Sequence, residues 1–172
     1  DERLAVGTTW GTARVDPADV RAAVADVRAR EVPHNVGRAA LRTQLTRLVR
    51  ADLVRRRSEE VVTTEAVDAD LRRDRAWAAA VDRIWPALSA PALVRRLLTN
   101  RAALAAAAGA LLSADEQAAI RRPPTRRAAD EPWTADDLVL VDEAEAAITG
   151  PPRVYGHIVV DEAQDLSTMG LR

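Results

Sequence analysis

Apolar residues recur at helical spacing along most of this chain, cut into lengths by caps and breakers. From about Val36 to Arg57, the residues Leu41, Leu45, Leu48, Val49 and Leu53 share one helical face, with Arg42, Arg47 and Arg50 between them. This is an amphipathic helix with an arginine-rich outer face. An earlier helix starts at Asp16-Pro17-Ala18-Asp19, where Asp16 caps, Pro17 suits the first turn and Asp19 favours the positive helix end. It runs to about Arg30 and is broken by Glu31-Val32-Pro33-His34-Asn35. After Ser58–Thr64, which has no clear period, a third helix is expected over Glu65–Ile84, with Trp77 near its middle and Trp85 just past its end. Shorter helices follow at Pro91–Leu98 and from Asn100 to Gly109. Ser113-Ala114-Asp115-Glu116 is a capping box opening another. Arg121–Pro132 holds three prolines and charges of both signs, and is the clearest loop. Thr134 then caps a helix over Ala135–Ile148, which Gly150-Pro151-Pro152 stops. Before that point, only Leu4–Val15, rich in Thr, Val and Gly, suits one or two short strands.

Composition narrows the chemistry. The 172 residues are 48% apolar and 30% charged, enough for a buried core and too apolar for wholesale disorder. Aromatics are 3%, without Phe, and Ala alone is about a fifth of the chain. There is no Cys, which excludes disulfides, thiolate metal sites and a Cys nucleophile, and two His are too few for a His-built metal centre. There is also no Lys: all 25 basic residues are Arg. The longest apolar run, Ala102–Leu112, is too short to span a membrane, and Asp1-Glu2-Arg3 does not open a signal peptide. The expected setting is soluble and cytoplasmic, with no membrane partner. Without an initial Met, and ending at Leu171-Arg172 as a new element begins, the chain is expected to be a piece of a larger protein.

Charge is uneven. Residues 1–128 carry 23 Arg against 16 acids, a balance of +7, and residues 129–172 carry 2 Arg against 10 acids, a balance of −8. Such asymmetry suggests separate modules or a charged partner.

After Gly150-Pro151-Pro152 the pattern changes. Val154-Tyr155-Gly156-His157-Ile158-Val159-Val160 is a β-branched apolar run leading into Asp161-Glu162-Ala163-Gln164-Asp165. A buried strand ending in acids is the pattern of a phosphate site on a parallel sheet. The first acid can hold Mg²⁺, the next can orient or deprotonate a water beside the γ-phosphate, and a following Gln can sense that phosphate. The chain supplies its own control. Val141-Asp142-Glu143-Ala144 repeats the first four letters inside a capped helix, followed by Glu-Ala rather than Gln-Asp. The short string is therefore weak, and the nine-residue form His157–Asp165 after a break carries the signal.

That segment resembles the Walker B box, or motif II, of superfamily 1 helicases of the UvrD/Rep type. The resemblance implies Asp161 as the Mg²⁺ ligand, Glu162 as the catalytic base and Gln164 as the coupler between γ-phosphate and motor. Asp165 would be a supporting residue of the ATP site. Leu166-Ser167-Thr168-Met169-Gly170-Leu171-Arg172 also looks like that family, in which a helix follows the box. These enzymes also need a Gly-rich loop closed by Lys and Ser or Thr, and the chain has neither that spacing nor any Lys. The chain alone is therefore expected to be inactive, and its parent to hydrolyse ATP.

The long arginine-rich helical region before motif II resembles the insertion in the first motor domain of HelD-like RNA polymerase-associated factors of Gram-positive bacteria. Three stretches carry this likeness: Pro33-His34-Asn35-Val36-Gly37-Arg38; Trp133-Thr134-Ala135-Asp136-Asp137-Leu138 with Leu140–Ala144; and Tyr155–Val160. Lys-free, Ala/Arg/Val-heavy usage suggests a GC-rich genome such as an actinobacterium's. The implied fold is mainly α: a helical insertion domain over 1–150, then over 151–172 the motif II strand of an α/β RecA-like motor domain. Implied partners are RNA polymerase, DNA and the remaining motor domains, with ATP and Mg²⁺ as cofactors. The family also has an insertion loop that approaches the polymerase active site, and by position Arg121–Trp133 is its counterpart, with Asp130 and Glu131 as its acids. The alternatives are an ordinary UvrD-like DNA helicase and a non-enzymatic interaction module.

Other residues admit two readings. Arg55-Arg56-Arg57, Arg72-Arg73 with Arg75, and Arg95-Arg96 either meet phosphates or form solvated faces paired with acids such as Asp52, Asp70 and Asp74. Trp77 and Trp85 read as core anchors rather than stacking platforms, and Trp133 as either a packing anchor or a partner contact. His34 reads as a hydrogen-bonding residue at a helix start, and His157 has no catalytic role.

Overall fold

A computed structural model describes residues 4–56, 62–151 and 156–165, and these are mainly helical. They fall into two compact units, Asp1–Ala87 and Leu88–Arg172, so the stretch 1–150 contributes to both.

The first unit opens with a hairpin of β1 (Leu4–Thr8) and β2 (Gly11–Val15), antiparallel with Leu4 opposite Val15 and Thr8 opposite Gly11. Its two-residue turn needs a left-handed residue at the exit, and Gly11 has φ 105°. Alternation puts Val6, Ala13 and Val15 inside. Helix α1 (Pro17–Arg28) is capped as expected, with the Asp16 carboxylate accepting from Ala18 N–H at 2.9 Å. Helix α2 (His34–Arg56) runs through the core, burying Leu41, Leu45, Val49 and Leu53.

The third helix expected over Glu65–Ile84 is two helices. Helix α3 (Thr64–Arg73) ends and α4 (Arg75–Ile84) begins at Asp74, whose backbone is extended (φ −86°, ψ 114°). The cause is a competing cap: the Asp74 carboxylate accepts from Ala76 N–H at 2.7 Å and Trp77 N–H at 3.3 Å. The break lets Val67 and Leu71 on one helix, and Trp77 and Val81 on the other, all reach the same core.

Two buried or bridging acids tie the hairpin down. Asp52 on α2 is 4% exposed and accepts from Arg14 N–H of β2 at 2.8 Å. Asp70 on α3 accepts from Thr9 N–H at 2.9 Å and Thr9 Oγ1–H at 2.8 Å at the hairpin tip.

In the second unit α5 (Ala90–Thr99) and α6 (Arg101–Ala108) meet at Asn100, which ends one and caps the other through Ala103 N–H. Helix α7 (Ala114–Ile120) carries the expected capping box between Ser113 and Glu116. Helix α8 (Ala135–Thr149) packs against α5, and Gly150 (φ 106°) ends it. Val94, Leu98, Leu104, Ala108 and Ile148 are buried.

The expected strand is the main departure. Residues 157–160 adopt no strand, and Ile158, Val159 and Val160 are 66%, 82% and 47% exposed. A parallel strand needs a paired neighbour in its sheet and cover on both faces. Among the described residues the only strands are β1 and β2, already paired with each other.

Candidate functional site

The segment after α8 is described again from Gly156, with Val154 and Tyr155 of the lead-in outside the described residues. Asp161 and Glu162 form a turn, and Ala163–Asp165 one turn of 3-10 helix. Glu162 sits at φ 52°, left-handed for a residue with a Cβ. The Asp161 carboxylate accepts from Glu162 N–H at 2.9 Å, and Gln164 Nε2–H donates to Glu162 Oε2. Asp161, Glu162 and Gln164 are therefore neighbours on one exposed turn, and the nucleophile-activating and phosphate-sensing candidates already touch. The side chain of Asp165 and residues 166–172 lie outside the described residues. The duplicate string Val141–Ala144 lies in the middle of α8, a helical setting unlike that of 157–165.

Asp161 and Glu162 offer exposed, hard carboxylate oxygens. One or two carboxylates are what Mg²⁺ takes when phosphate and water supply its other ligands, so the donor set fits. Among the described residues no group of three or more His, Cys, Asp or Glu converges on one point.

The stretch Pro33–Arg38 has a structural account that the sequence did not disclose. His34 Nε2–H donates to Pro86 O at 2.7 Å, and Trp85 Nε1–H donates to His34 O at 3.0 Å. Arg38 Nε–H donates to Trp85 O at 3.1 Å, while its Nη2 reaches Asp82 at 2.5 Å. A Cβ on Gly37 would stand 3.0 Å from the Trp85 ring and 3.3 Å from Val27. The stretch is a clamp around Trp85, which is 8% exposed and, like Trp77 at 2%, a core anchor. His34 does sit at a helix start, but its bonds run 51 and 52 residues along the chain.

The loop Arg121–Trp133 is held inward by two buried ion pairs. Glu131 accepts from Arg95 Nε–H at 3.0 Å and from Thr125 Oγ1–H at 2.9 Å, and Arg95 Nη2–H also reaches Thr125 O at 2.7 Å. Asp137 meets both terminal nitrogens of Arg122, at 3.0 and 2.5 Å. The guanidinium leads in holding the Asp137 carboxyl down at about 2; burial opposes it and the Thr134 bonds assist it. Of the two acids expected on this loop, Glu131 is therefore sequestered and Asp130 is exposed. Trp133 is half-buried.

Of the arginine runs, Arg55, Arg56, Arg72 and Arg95 are ion-paired. Arg55 and Arg56 each reach Asp52 at 3.1 Å, and Arg72 pairs with Asp68 rather than with Asp70 or Asp74. Arg57 lies outside the described residues. Burial pushes the Asp52 carboxyl up, but the Arg14 N–H and the two guanidiniums together hold it below its ordinary value. No helix among the described residues is long and apolar enough to cross a membrane. No family model matches the chain, and no curated protein matches its sequence.

Proposed function

We propose that this chain is part of an ATP-dependent superfamily 1 helicase-like motor, of the HelD-like type that binds RNA polymerase and uses ATP to release nucleic acid or recycle the enzyme. The observation that carries the reading is the string His157–Asp165 after the Gly150-Pro151-Pro152 break, set against its failed duplicate inside α8. Residues 151–172 are then motif II of an α/β RecA-like motor domain, and the helices before them a family-specific insertion. Asp161 would hold Mg²⁺, and Asp165 supports it in the ATP site. When bound, the ion would supply neutralisation of phosphate charge. Glu162 takes the proton of the attacking water, and Gln164, already bonded to the Glu162 carboxylate, responds to the γ-phosphate. The exposed apolar residues Ile158, Val159 and Val160 suit a strand that completes its sheet with the rest of the motor. Without Lys or a phosphate loop, this chain alone does not turn over ATP.

The reading is tested by titrating the chain against core RNA polymerase and against single-stranded DNA, at low and moderate salt. Salt-tolerant binding to polymerase with little to DNA is expected. Salt-sensitive binding to DNA with none to polymerase would instead place the helices in an ordinary UvrD-like DNA helicase, because counterion release makes phosphate contacts salt-dependent.

A further inference from the structure

Where α2, α3 and α4 meet, the first unit has a cleft of about 80 Å³ lined by Arg38, Arg42, Arg72, Trp77, Leu71 and Val81, among others. Two of these residues carry buried N–H donors, Arg42 Nε and Trp77 Nε1, that have no acceptor among the described residues. Buried donors without partners are rare in folded proteins, because each costs its desolvation without a bond in return. An indole nitrogen only donates, and so does a guanidinium. Among the described residues the cleft therefore offers these two donors no acceptor.

The charges around it specify which kind. Arg38 is neutralised by Asp82 at 2.5 Å, while Asp68 is shared: it pairs closely with Arg72 and lies 3.8 Å from Arg42, beyond hydrogen-bond reach. Among the described residues three guanidiniums thus share two carboxylates, and Arg42, with the longest of these ion pairs, is the one with the unused Nε–H. A water would fill the acceptor role but leave the charge. An oxyanion answers both, and the volume suits one tetrahedral group rather than a base or sugar beside it.

We propose that this cleft binds a phosphate group, with Arg42 Nε–H and Trp77 Nε1–H donating to its oxygens and Arg38 and Arg72 supplying positive charge at the rim. The phosphate is either free or part of a nucleic-acid backbone. This inference is independent of the motif at 157–165.

The test is a ¹⁵N NMR titration of the full 172-residue chain with inorganic phosphate at constant ionic strength, chloride making up the balance. The Trp77 indole N–H is assigned with Trp77→Phe and the Arg42 Nε–H with Arg42→Lys. Both resonances are expected to shift and saturate, and Arg42→Gln and Arg42→Lys to weaken phosphate binding at least tenfold while amides elsewhere keep their positions. A Trp77 indole that stays still in the unmutated chain, or that drifts without saturating and does so equally in chloride, would overturn the proposal. A short oligothymidylate that displaces phosphate from the cleft identifies backbone phosphate as the source, and one that does not compete identifies the free anion.

Discussion

Asp137 accepts from both terminal nitrogens of Arg122 and closes the capping box of α8, taking the Thr134 N–H at 2.9 Å while its own N–H donates to Thr134 Oγ1 at 3.2 Å. With the side chain 6% exposed, replacing it leaves the Arg122 guanidinium, itself 26% exposed, without its carboxylate. Asp137→Asn is expected to cost about 2 kcal/mol at neutral pH. Because the folded carboxyl is depressed to about 2, its contribution is complete above the ordinary carboxylate value and is lost as pH falls towards 2. Chemical denaturation of both proteins should show their difference constant from pH 7 to 5 and shrinking between about pH 4 and 2; a difference independent of pH would refute the ion pair. The residue scale was also where sequence was least informative. Glu131 read only as an acid of the Arg121–Trp133 loop, and the ion pair of Asp137 left no local trace, because their partners Arg95 and Arg122 stand 36 and 15 residues away. The Thr134 cap was legible, since the N–H it serves lies within one turn, but its closure into a box by Asp137 was not.

At the scale of elements, most helices were legible because their ends carry local chemistry: Asp16, Asn100, Ser113 and Thr134 all cap as their side chains and positions require. The missed boundary was Asp74, hidden in a run without Gly or Pro. Its trace was a phase slip: Leu71 and Trp77 are six residues apart, where a continuous core stripe asks for seven. Asp74→Ala removes the carboxylate that holds Ala76 N–H and Trp77 N–H. The expected loss is about 1 kcal/mol of stability, read from the urea midpoint at unchanged slope. An unaffected midpoint would mean that packing alone sets the break. Of the strand expected over Val154–Val160, the described residues 157–160 went the other way. Its β-branched run is genuine, but a strand is completed by partners, which no local pattern contains.

At the scale of the molecule, the chain divides into two compact units, Asp1–Ala87 and Leu88–Arg172. The hydrophobic core cluster from Val6 to Trp85 draws every member from the first unit, and the Pro33–Arg38 clamp on Trp85 closes that unit near its end. Residues 1–87 alone are accordingly expected to unfold in one cooperative transition with a helical circular dichroism spectrum. A molten or unfolded fragment would show that the core depends on residues beyond Ala87. None of this fold-level order identifies an activity, which rests on Asp161, Glu162 and Gln164 and on the motor proposed around them. The most direct measurement is therefore ATP hydrolysis and ATP binding by the proposed parent motor carrying Glu162→Gln. Turnover is expected to fall by at least about a hundredfold with ATP binding retained, as loss of a general base requires; turnover at the unmutated rate would contradict the assignment of Asp161–Asp165 as motif II.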